Sequence, residues 1–387
     1  MKRLASLVLA VALVIGIMPL TACCDGGAGE VYKIGAVFAV TGFNSPLGTP
    51  EKQTVEMLEA QINAAGGING IPVDIIVYDT ESDETKCVTA VKRLIEEDNV
   101  LAIVGPSSSG ESLAILDTIT DDEIPLISCA ASSKIVEPVA ERYWVFKTPQ
   151  TDTLAVIEIY KYLQGQGISK VALITDSGGF GSTGRDQLIA LADTWDMEIV
   201  ADEKFGTQDT DMTSQLTAIG GTDAEAVICW GTNPGPAVIA KNMRDLNMDL
   251  PLLNSHGIAN KTFIDLAGDA ADGVIFPAGK LLVADQLLDT DPQKALLVQY
   301  KADFEALYGE GTANTFGGHA YDAVMMVVMA IEAAGADSAG IRDAIEGITD
   351  FAGTGGVFNM SATDHNGLSE GAFVLIEIVD GEWTWLQ

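Results

Sequence analysis

Four short loops rich in glycine and small polar residues carry the side chains best suited to bind a ligand. They span residues 105–110, 128–133, 176–181 and 231–235, and each follows an apolar run typical of a buried strand. In open α/β sheets, ligands bind beyond the carboxyl ends of the strands. Loops at these ends converge on one cleft, so the sequence predicts a binding site built from two loops of each half of the chain.

The first two loops suit an anionic group. In the loop Gly105–Gly110 the glycines permit a tight turn, and Ser108 and Ser109 supply hydroxyls beside the N–H groups that begin a helix. Such a helix start binds a carboxylate without any cationic side chain. The alternative is a serine that only caps the helix. In the second loop, Ala130 and Ser132 are small enough to let a ligand touch the backbone.

The other two loops offer apolar contact and amide groups. Phe180 stands at a glycine-flanked tip, where it either covers an apolar ligand or packs in the core. Asn233 lies in a Gly-Thr-Asn-Pro-Gly turn that is expected to face the same cleft. His256 follows a further strand, and we interpret it as a polar residue at a strand end, with direct contact to the ligand as the alternative.

The sequence does not favour catalysis. The serine loop lacks the final glycine of a Gly-x-Ser-x-Gly nucleophile elbow, and nothing in the spacing of the 3 histidines specifies a Ser-His-acid triad. Ala64–Gly70 ends a helix, so it is not a dinucleotide loop, and no residues have metal-ligand spacing. We therefore predict a binding protein that is not an enzyme and has no cofactor or metal. An exported hydrolase using Ser107 or Ser109 is the alternative.

Alternating strands and helices are expected to position these loops. The alternation runs over residues 32–146, restarts at residue 153 and continues to residue 267. Buried β-branched strands joined by helices indicate parallel sheets covered on both faces, and two such runs predict two lobes. Three helices over residues 292–346 and a final hairpin follow, which suggests that the chain returns to the first lobe.

One predicted helix has a marked start. Thr49-Pro50-Glu51 has the pattern of an N-cap, a proline in the first helical position and an acidic residue in the first turn. The sequence therefore predicts that this helix begins at Pro50.

The N-terminal residues have the pattern of a lipoprotein signal. A cationic start and an apolar run that ends at Met18 lead into Leu20-Thr21-Ala22-Cys23. The apolar run is shorter than the roughly 20 residues of a membrane span. We predict a signal peptide over residues 1–22, lipidation of Cys23, and a tether over residues 23–30 that holds the protein outside the cytoplasm. The alternative is an ordinary secretion signal with a chance cysteine.

Charge and cysteine content narrow the possible partners. The formal net charge is −34 at pH 7, and so acidic a surface repels nucleic acid, which we exclude as a partner.

The 5 cysteines contain no Cys-x-x-Cys pair. For Cys24, Cys87, Cys129 and Cys229 we favour buried free thiols, with a disulfide still open.

Eight short motifs occur along the chain in the order in which a known protein family has them. They are Thr41-Gly42, Ile62–Gly70, Tyr78-Asp79, Gly105–Ser109, Ser128–Ser132, Phe180-Gly181, Ala267–Val274 and Asp364–Gly367. With these motifs the chain resembles the leucine/isoleucine/valine-binding proteins, which are type I periplasmic-binding-protein-like solute receptors of ABC importers. The likeness covers essentially all of the chain beyond the signal.

The resemblance implies an α/β fold of two doubly wound α/β lobes joined by three hinge crossings, with the ligand cleft between them. The crossings are expected near residues 147–151, 276–280 and 357–360. The first lobe is expected to comprise residues 31–149 plus 278–358, and the second residues 150–277 plus 359–387.

The resemblance also implies roles for individual residues. By position, Ser109, Ala130 and Ser132 hold the ligand carboxylate from the first lobe. Phe180 stands where the family usually has an aromatic cover, and Asn233 where an aromatic often sits. The predicted ligand-binding set is completed by Leu47, at another frequent aromatic position, and by Ser108, His256 and Gly257.

One departure from the family pattern concerns the ligand's amino group. Amino-acid-binding members place an acidic residue in the second lobe, whereas the matching stretch here is Ser255-His256-Gly257. A buried ammonium without a charged partner is costly. We therefore hypothesise a small carboxylate whose far end is not an α-amino group, such as an aromatic or branched acid. Asp176 or Asp209 is an alternative anion, which keeps an amino acid open.

Taken together, these features predict a monomeric, lipid-anchored receptor outside the cytoplasm. It is expected to bind a small carboxylate by closure of its lobes and to deliver it to an ABC permease in the membrane. The alternative is a sensory receptor of the same fold that acts on a membrane signalling protein.

Overall fold

The computed structural model describes residues 30–387. The predicted signal peptide, Cys23, Cys24 and the rest of the tether up to residue 29 lie outside the described residues. The strands are β1 (Tyr32–Phe38), β2 (Val73–Asp79), β3 (Ile103–Val104), β4 (Leu126–Ser128), β5 (Val145–Lys147), β6 (Lys170–Asp176), β7 (Glu198–Phe205), β8 (Ala226–Trp230), β9 (Leu252–Asn254), β10 (Ile275–Ala278), β11 (Phe351–Ala352), β12 (Val357–Phe358), β13 (Val374–Val379) and β14 (Glu382–Leu386). The helices are α1 (Ser45–Ala64), α2 (Glu84–Arg93), α3 (Ser109–Asp121), α4 (Asp152–Gly165), α5 (Gly179–Ala192), α6 (Thr213–Gly220), α7 (Gly235–Asp245), α8 (Lys261–Ala267), α9 (Lys294–Tyr308), α10 (Thr315–Ala334) and α11 (Ser338–Glu346).

The first lobe is built on a parallel sheet of strand order β2-β1-β3-β4-β5. Along β1, Ile34 and Phe38 pack with α1, α10 and α11 on one face, and Val37 packs with α2 and α3 on the other. Side chains alternate across a strand, so β1 is apolar on both faces. Helices therefore cover both sides of this sheet.

The second lobe is built on a sheet of order β14-β13-β10-β9-β8-β6-β7. Strands β6 to β10 are parallel, and the hairpin β13–β14 joins β10 in antiparallel pairing. Helices α6, α7 and α8 cover one face and α4 and α5 the other. One parallel sheet and one mainly parallel sheet, each covered on both faces, confirm the predicted fold class of two doubly wound α/β lobes.

Helix α10 brings the chain back to the first lobe. It follows the second lobe in sequence, yet Ala320, Val324 and Val327 lie in the first lobe's core beside β1. The predicted return of the chain to the first lobe is therefore confirmed.

Among the described helices, none by itself is long and apolar enough to cross a membrane, and α10 and α11 meet that test only as a pair bent by 118°.

The third crossing between the lobes lies later than the resemblance implied. Met360, Leu368 and Ala372 pack in the core of the first lobe, whereas Phe373 packs in the second. The chain therefore crosses near residues 372–374 rather than 357–360. The stretch before it has little strand or helix pattern, and its apolar contacts together with the hydrogen bond between His365 and Val145 O assign it to the first lobe.

The predicted start of α1 was wrong. The helix begins at Ser45. The Thr49 hydroxyl does not cap the helix; it donates to the carbonyl of Val40 at 3.2 Å. Pro50 therefore lies inside the helix and has no N–H to donate to the carbonyl of Pro46. That carbonyl accepts a hydrogen bond from Asn260 Nδ2 at 2.9 Å, so a residue distant in sequence compensates for the internal proline.

The described cysteines match the prediction made for them. Cys87, Cys129 and Cys229 are buried and carry free thiols. Burial raises the pKa of each thiol above its ordinary value, so these side chains behave as small apolar core residues.

Candidate ligand-binding site

A cavity of about 100 Å³ lies between the carboxyl ends of the two sheets. Its lining includes Ser109 and Ala130 from the first lobe and Phe180 and His256 from the second. Sites for drug-sized ligands have roughly 300–1,000 Å³. This cavity therefore suits a smaller molecule that touches both lobes at once.

The lobes are closed on each other around this cavity. A Cβ atom added to Gly179, at the start of α5, would lie 2.8 Å from the backbone nitrogen of Gly110, at the start of α3. Lys134 Nζ and Asp186 form an ion pair of 2.6 Å across the cleft. The bond from Asn260 to the first lobe is a third such contact. Two helix N-termini, one from each lobe, thus meet beside the cavity.

Most of the predicted site residues line the cavity. Those that do are Leu47, Ser108, Ser109, Ala130, Phe180, His256 and Gly257. Ser132 does not: it is buried behind the wall, where its hydroxyl accepts from Lys134 N at 3.2 Å. Asn233 does not either, because its turn directs Nδ2 to Asn260 Oδ1 at 3.3 Å.

Two serines of the first loop have their hydroxyls committed within the protein. The Ser107 hydroxyl donates to the buried Glu51 and accepts from Ala39 N at 3.0 Å. The Ser108 hydroxyl caps α3 by accepting from Glu111 N at 3.3 Å and donates to the Glu111 carboxyl at 2.7 Å. Ser108 is therefore the N-cap of α3, and its side chain is also bonded to that of Glu111. Neither hydroxyl has a hydrogen left for a ligand.

Ser109 differs from its neighbours because its hydroxyl hydrogen is uncommitted. Its Oγ accepts from Ser132 N at 3.2 Å, and the O–H remains available at the cavity wall. The backbone N–H of Ala130 already donates to Ser128 Oγ at 3.1 Å. The side chain of Ser109 and the N-terminus of α3 are therefore the donors best placed to meet an anion.

Burial raises the pKa of three carboxyl groups near the cavity. Burial raises the pKa of Glu51 well above its ordinary value and raises that of Glu111 as well. Burial also raises the pKa of Asp176 to about 6, although this carboxylate accepts from Gly178 N at 2.7 Å. Asp209 lies on the surface, where it accepts from a backbone N–H. Of the two proposed alternative anions, only Asp176 lines the cavity.

Two histidines line the cavity in their neutral form. Burial lowers the pKa of His256 and of His319 to about 3. The His256 ring packs among Phe180, Trp230 and Phe373, with ring centroids 5.3, 6.0 and 5.3 Å away. In the described part of the chain, Nδ1 and Nε2 of His256 and Nδ1 of His319 are buried without a hydrogen-bond partner.

A buried cation stands behind the cavity at the first crossing. Lys147 is fully buried, and its Nζ donates to the carbonyl of Pro149, a residue of the cavity wall. Burial lowers the pKa of this ammonium from 10.5 to about 7, while Asp152 and Glu137 oppose the shift. A positive charge behind the cavity wall is therefore only partly present near pH 7.

Sequence reasoning missed several residues of the cavity wall. His319 and Phe316 belong to α10, which follows the second lobe in the chain, and Thr232 lies beside the predicted Asn233. The pattern of α10 is that of a core helix, so it contained no signal for a binding role. Thr232 was open to prediction, because its turn had already been selected.

The serines do not form a hydrolytic triad in this geometry. Neither Ser107 nor Ser109 bonds to an imidazole within residues 30–387; their partners are Glu51, Ala39 and Ser132. In the same range, no group of three or more His, Cys, Asp or Glu side chains is placed to hold a metal ion. The arrangement can hold a small molecule through hydroxyl, amide and imidazole groups.

Known proteins place this fold and cavity in one family. The profile of the periplasmic binding protein family matches residues 31–382. The chain belongs to the periplasmic binding protein family. Among its relatives, a leucine-, isoleucine-, valine-, threonine- and alanine-binding protein of Pseudomonas aeruginosa is 22% identical over 325 residues, which cover 83% of this chain and 84% of that protein.

Solved structures of periplasmic binding proteins agree with both lobes. An extracellular ligand-binding receptor of Rhodopseudomonas palustris is 29% identical, covers 92% of this chain and 99% of its own, and has a TM-score of 0.86. The branched-chain amino acid transporter substrate-binding protein LivJ of Streptococcus pneumoniae, solved with isoleucine, is 26% identical, covers 92% and 100%, and has a TM-score of 0.80. The predicted resemblance is therefore confirmed.

Proposed function

We propose that this periplasmic binding protein captures a small carboxylate between its lobes and delivers it to an ABC permease. The observation that carries the proposal is Ser109, whose uncommitted hydroxyl stands at the N-terminus of α3 in the wall of a closed interlobe cavity. Hydroxyl donors at a helix N-terminus stabilise a carboxylate.

The electrostatics of the first lobe support an anionic ligand. Glu51 and Glu111 lie close to the loop, but burial raises the pKa of both, which weakens their repulsion of an anion. Lys147 adds positive charge behind the wall. The strongly acidic surface opposes entry of anions, so these local groups have to supply the attraction.

The second lobe supports a ligand without an α-amino group. His256 stands where a carboxylate partner for an ammonium is expected, and it is neutral. Asp176 already accepts backbone hydrogen bonds from Gly178 and Gly181. An aromatic or branched acid satisfies these surroundings better than an amino acid does. The isoleucine bound by the LivJ relative supports the amino acid as the second candidate.

Lobe closure is the proposed mechanism of capture. Ligand binding to residues of both lobes shifts the population toward the closed form. The three crossings form the hinge: Gln150 of the first crossing donates to Gly355 O at 2.6 Å and to Ala372 O at 3.2 Å. A permease that recognises the closed form then receives only loaded protein.

We also propose that the chain is anchored outside the cytoplasm through lipid on Cys23. The support is the signal pattern that ends at this cysteine. Expression of the full chain and of Cys23→Ser should differ: the first fractionates with membranes and carries a mass increase of diacylglycerol at Cys23, and the second does not. An unmodified mature terminus in the full chain would refute the anchor.

A ligand panel tests the proposed function. Binding to the native state raises Tm by mass action, so purified protein is screened against branched and aromatic acids and the matching amino acids. A Tm shift with acids supports the proposal, a shift with amino acids alone refutes its non-amino part, and no shift with either refutes the carboxylate class. Ser109→Ala should weaken binding roughly 10- to 150-fold by loss of a charge-assisted hydrogen bond. The matched control is Ser182→Ala, an exposed serine of α5.

A further inference from the structure

His256 and His319 face the cavity from opposite lobes. His256 follows β9 of the second sheet, and His319 lies in the second turn of α10, which packs on the first lobe. Both residues line the same cavity. They are close enough for charge on His319 to lower the pKa of His256. The pair is therefore complete only when the lobes are closed.

We propose that this pair selects ligands that carry an uncharged oxygen, a hydroxyl or a carbonyl, in addition to the carboxylate. The inference rests on the proposed function and names the ligand class more narrowly. It assigns a specificity role to His319, a residue without any signal of binding in the sequence.

The unpartnered ring nitrogens carry this inference. In residues 30–387, Nδ1 and Nε2 of His256 and Nδ1 of His319 have neither solvent contact nor a hydrogen-bond partner. A buried polar group left unpaired is destabilising, so such groups are nearly always satisfied by protein, water or ligand. Since the described protein offers them nothing, the molecule that fills the cavity is the expected partner.

The protonation state decides which partner fits. Both imidazoles are neutral near pH 7, because burial lowers each pKa to about 3. A neutral imidazole has one N–H donor and one acceptor nitrogen. A hydroxyl donates to one ring and accepts from the other, and a carbonyl oxygen accepts from N–H groups. Either oxygen thus satisfies nitrogens that a plain acid leaves unpaired.

The ionisable group that acts on both rings disfavours an ammonium beside them, although Asp176, with a pKa of about 6, lies elsewhere in the cavity wall. The buried Lys147 acts on both rings, and with a pKa of about 7 it carries part of a positive charge near pH 7. Asp322, one turn along α10, is occupied by hydrogen bonds from Thr354 and Gly355. An ammonium would therefore add positive charge beside Lys147, whereas a neutral oxygen adds none.

The aromatic surroundings hold His256 in position. The rings of Phe180, Trp230 and Phe373 pack against it, with centroids 5.3 to 6.0 Å away. A ring held in this way does not turn to find another partner, so its nitrogens discriminate between ligands by position as well as by chemistry.

Two matched ligand series test the pair by calorimetry on the purified protein. The branched series is 4-methylpentanoate, its 2-hydroxy and 2-oxo derivatives, and leucine; the aromatic series is 3-phenylpropanoate, its 2-hydroxy and 2-oxo derivatives, and phenylalanine. In the series that binds, we expect the hydroxy or oxo acid to bind roughly 2- to 12-fold more tightly than the plain acid for each hydrogen bond formed. His319→Leu should bring that ratio to about one, and His319→Gln, which keeps a donor and an acceptor, should retain part of it. His365→Gln is the control, because this buried histidine lies outside the cavity and bonds to Val145 O.

The outcomes separate this inference from the proposed function. Plain acids that bind as tightly as oxygenated ones overturn the inference and leave the carboxylate receptor intact. An unchanged ratio in His319→Leu also overturns it, and if that variant fails to fold, His319→Gln supplies the same comparison. The amino acid as tightest ligand overturns the inference together with the non-amino part of the proposed function. Absence of binding by every acid overturns the proposed function itself.

Discussion

The close approach of Gly110 and Gly179 makes closure sensitive to a single methyl group. The two glycines begin helices in different lobes, and a Cβ on Gly179 would lie 2.8 Å from Gly110 N and 2.9 Å from Gly110 Cα. An ordinary contact requires at least 3.4 Å, and the opposing atoms are backbone. In Gly179→Ala the two helix ends must therefore part by about 0.6 Å, with a cost typical of overpacking, about 1–3 kcal/mol.

This cost applies only to the closed form. Gly179 has no positive φ, so alanine fits its backbone, and in the open form the new methyl meets no opposing lobe. Alanine in a helix is favoured over glycine by up to about 1 kcal/mol. The unliganded protein should thus keep or raise its Tm, while the Kd for a ligand found in the panel rises roughly 5- to 150-fold.

The assay compares Gly179→Ala with a matched helical glycine. Gly165→Ala makes the same change at the end of α4, where an added Cβ has no neighbour within 4 Å. Calorimetry gives Kd, thermal unfolding gives the Tm of the unliganded protein, and small-angle scattering reports closure. Equal Kd values for the two variants would show that the helix ends do not meet in the bound state and would refute the reasoning.

Three further changes test other parts of the structure. Asn260→Ala removes the bond to Pro46 O and should raise Kd roughly 2- to 12-fold; the variant also loses the bond from Asn233 Nδ2 within the second lobe, so the unliganded Tm falls as well, and an unchanged Kd would show that the bond to Pro46 O does not stabilise the closed form. Lys147→Met should flatten the pH dependence of stability: the pKa of Lys147 falls from 10.5 unfolded to about 7 folded, so between these values the unfolded chain binds the extra proton and stability rises with pH. Urea unfolding at pH 7 and 9 measures the rise, and an equal rise in the variant contradicts the buried charge. Asp322→Asn replaces an acceptor of bonds from Thr354 and Gly355 and should cost about 1–3 kcal/mol in urea unfolding, whereas an unchanged midpoint would show that these bonds contribute nothing.

The features that were predicted correctly from the sequence depend on residues close together in the chain. Helix and strand periodicity located both lobes, because side-chain period depends only on the backbone of each segment. The cap of α3 was visible for the same reason, since Ser108 and Glu111 are three residues apart. The start of α1 was mispredicted at Pro50, because the bond from Asn260 that makes an internal proline tolerable comes from the other lobe.

For the site residues too, local sequence determined some properties and long-range contacts determined others. The sequence by itself determined which loops lie at strand ends, and so it brought Ser109, Phe180 and His256 to the cavity wall. Only the tertiary structure decided which loop hydroxyl is uncommitted, that Ser132 lies behind the wall, and that His319 faces the cavity. These properties depend on which distant groups meet when the lobes close, and on the burial that keeps the imidazoles neutral, and neither is encoded in the spacing of neighbouring residues.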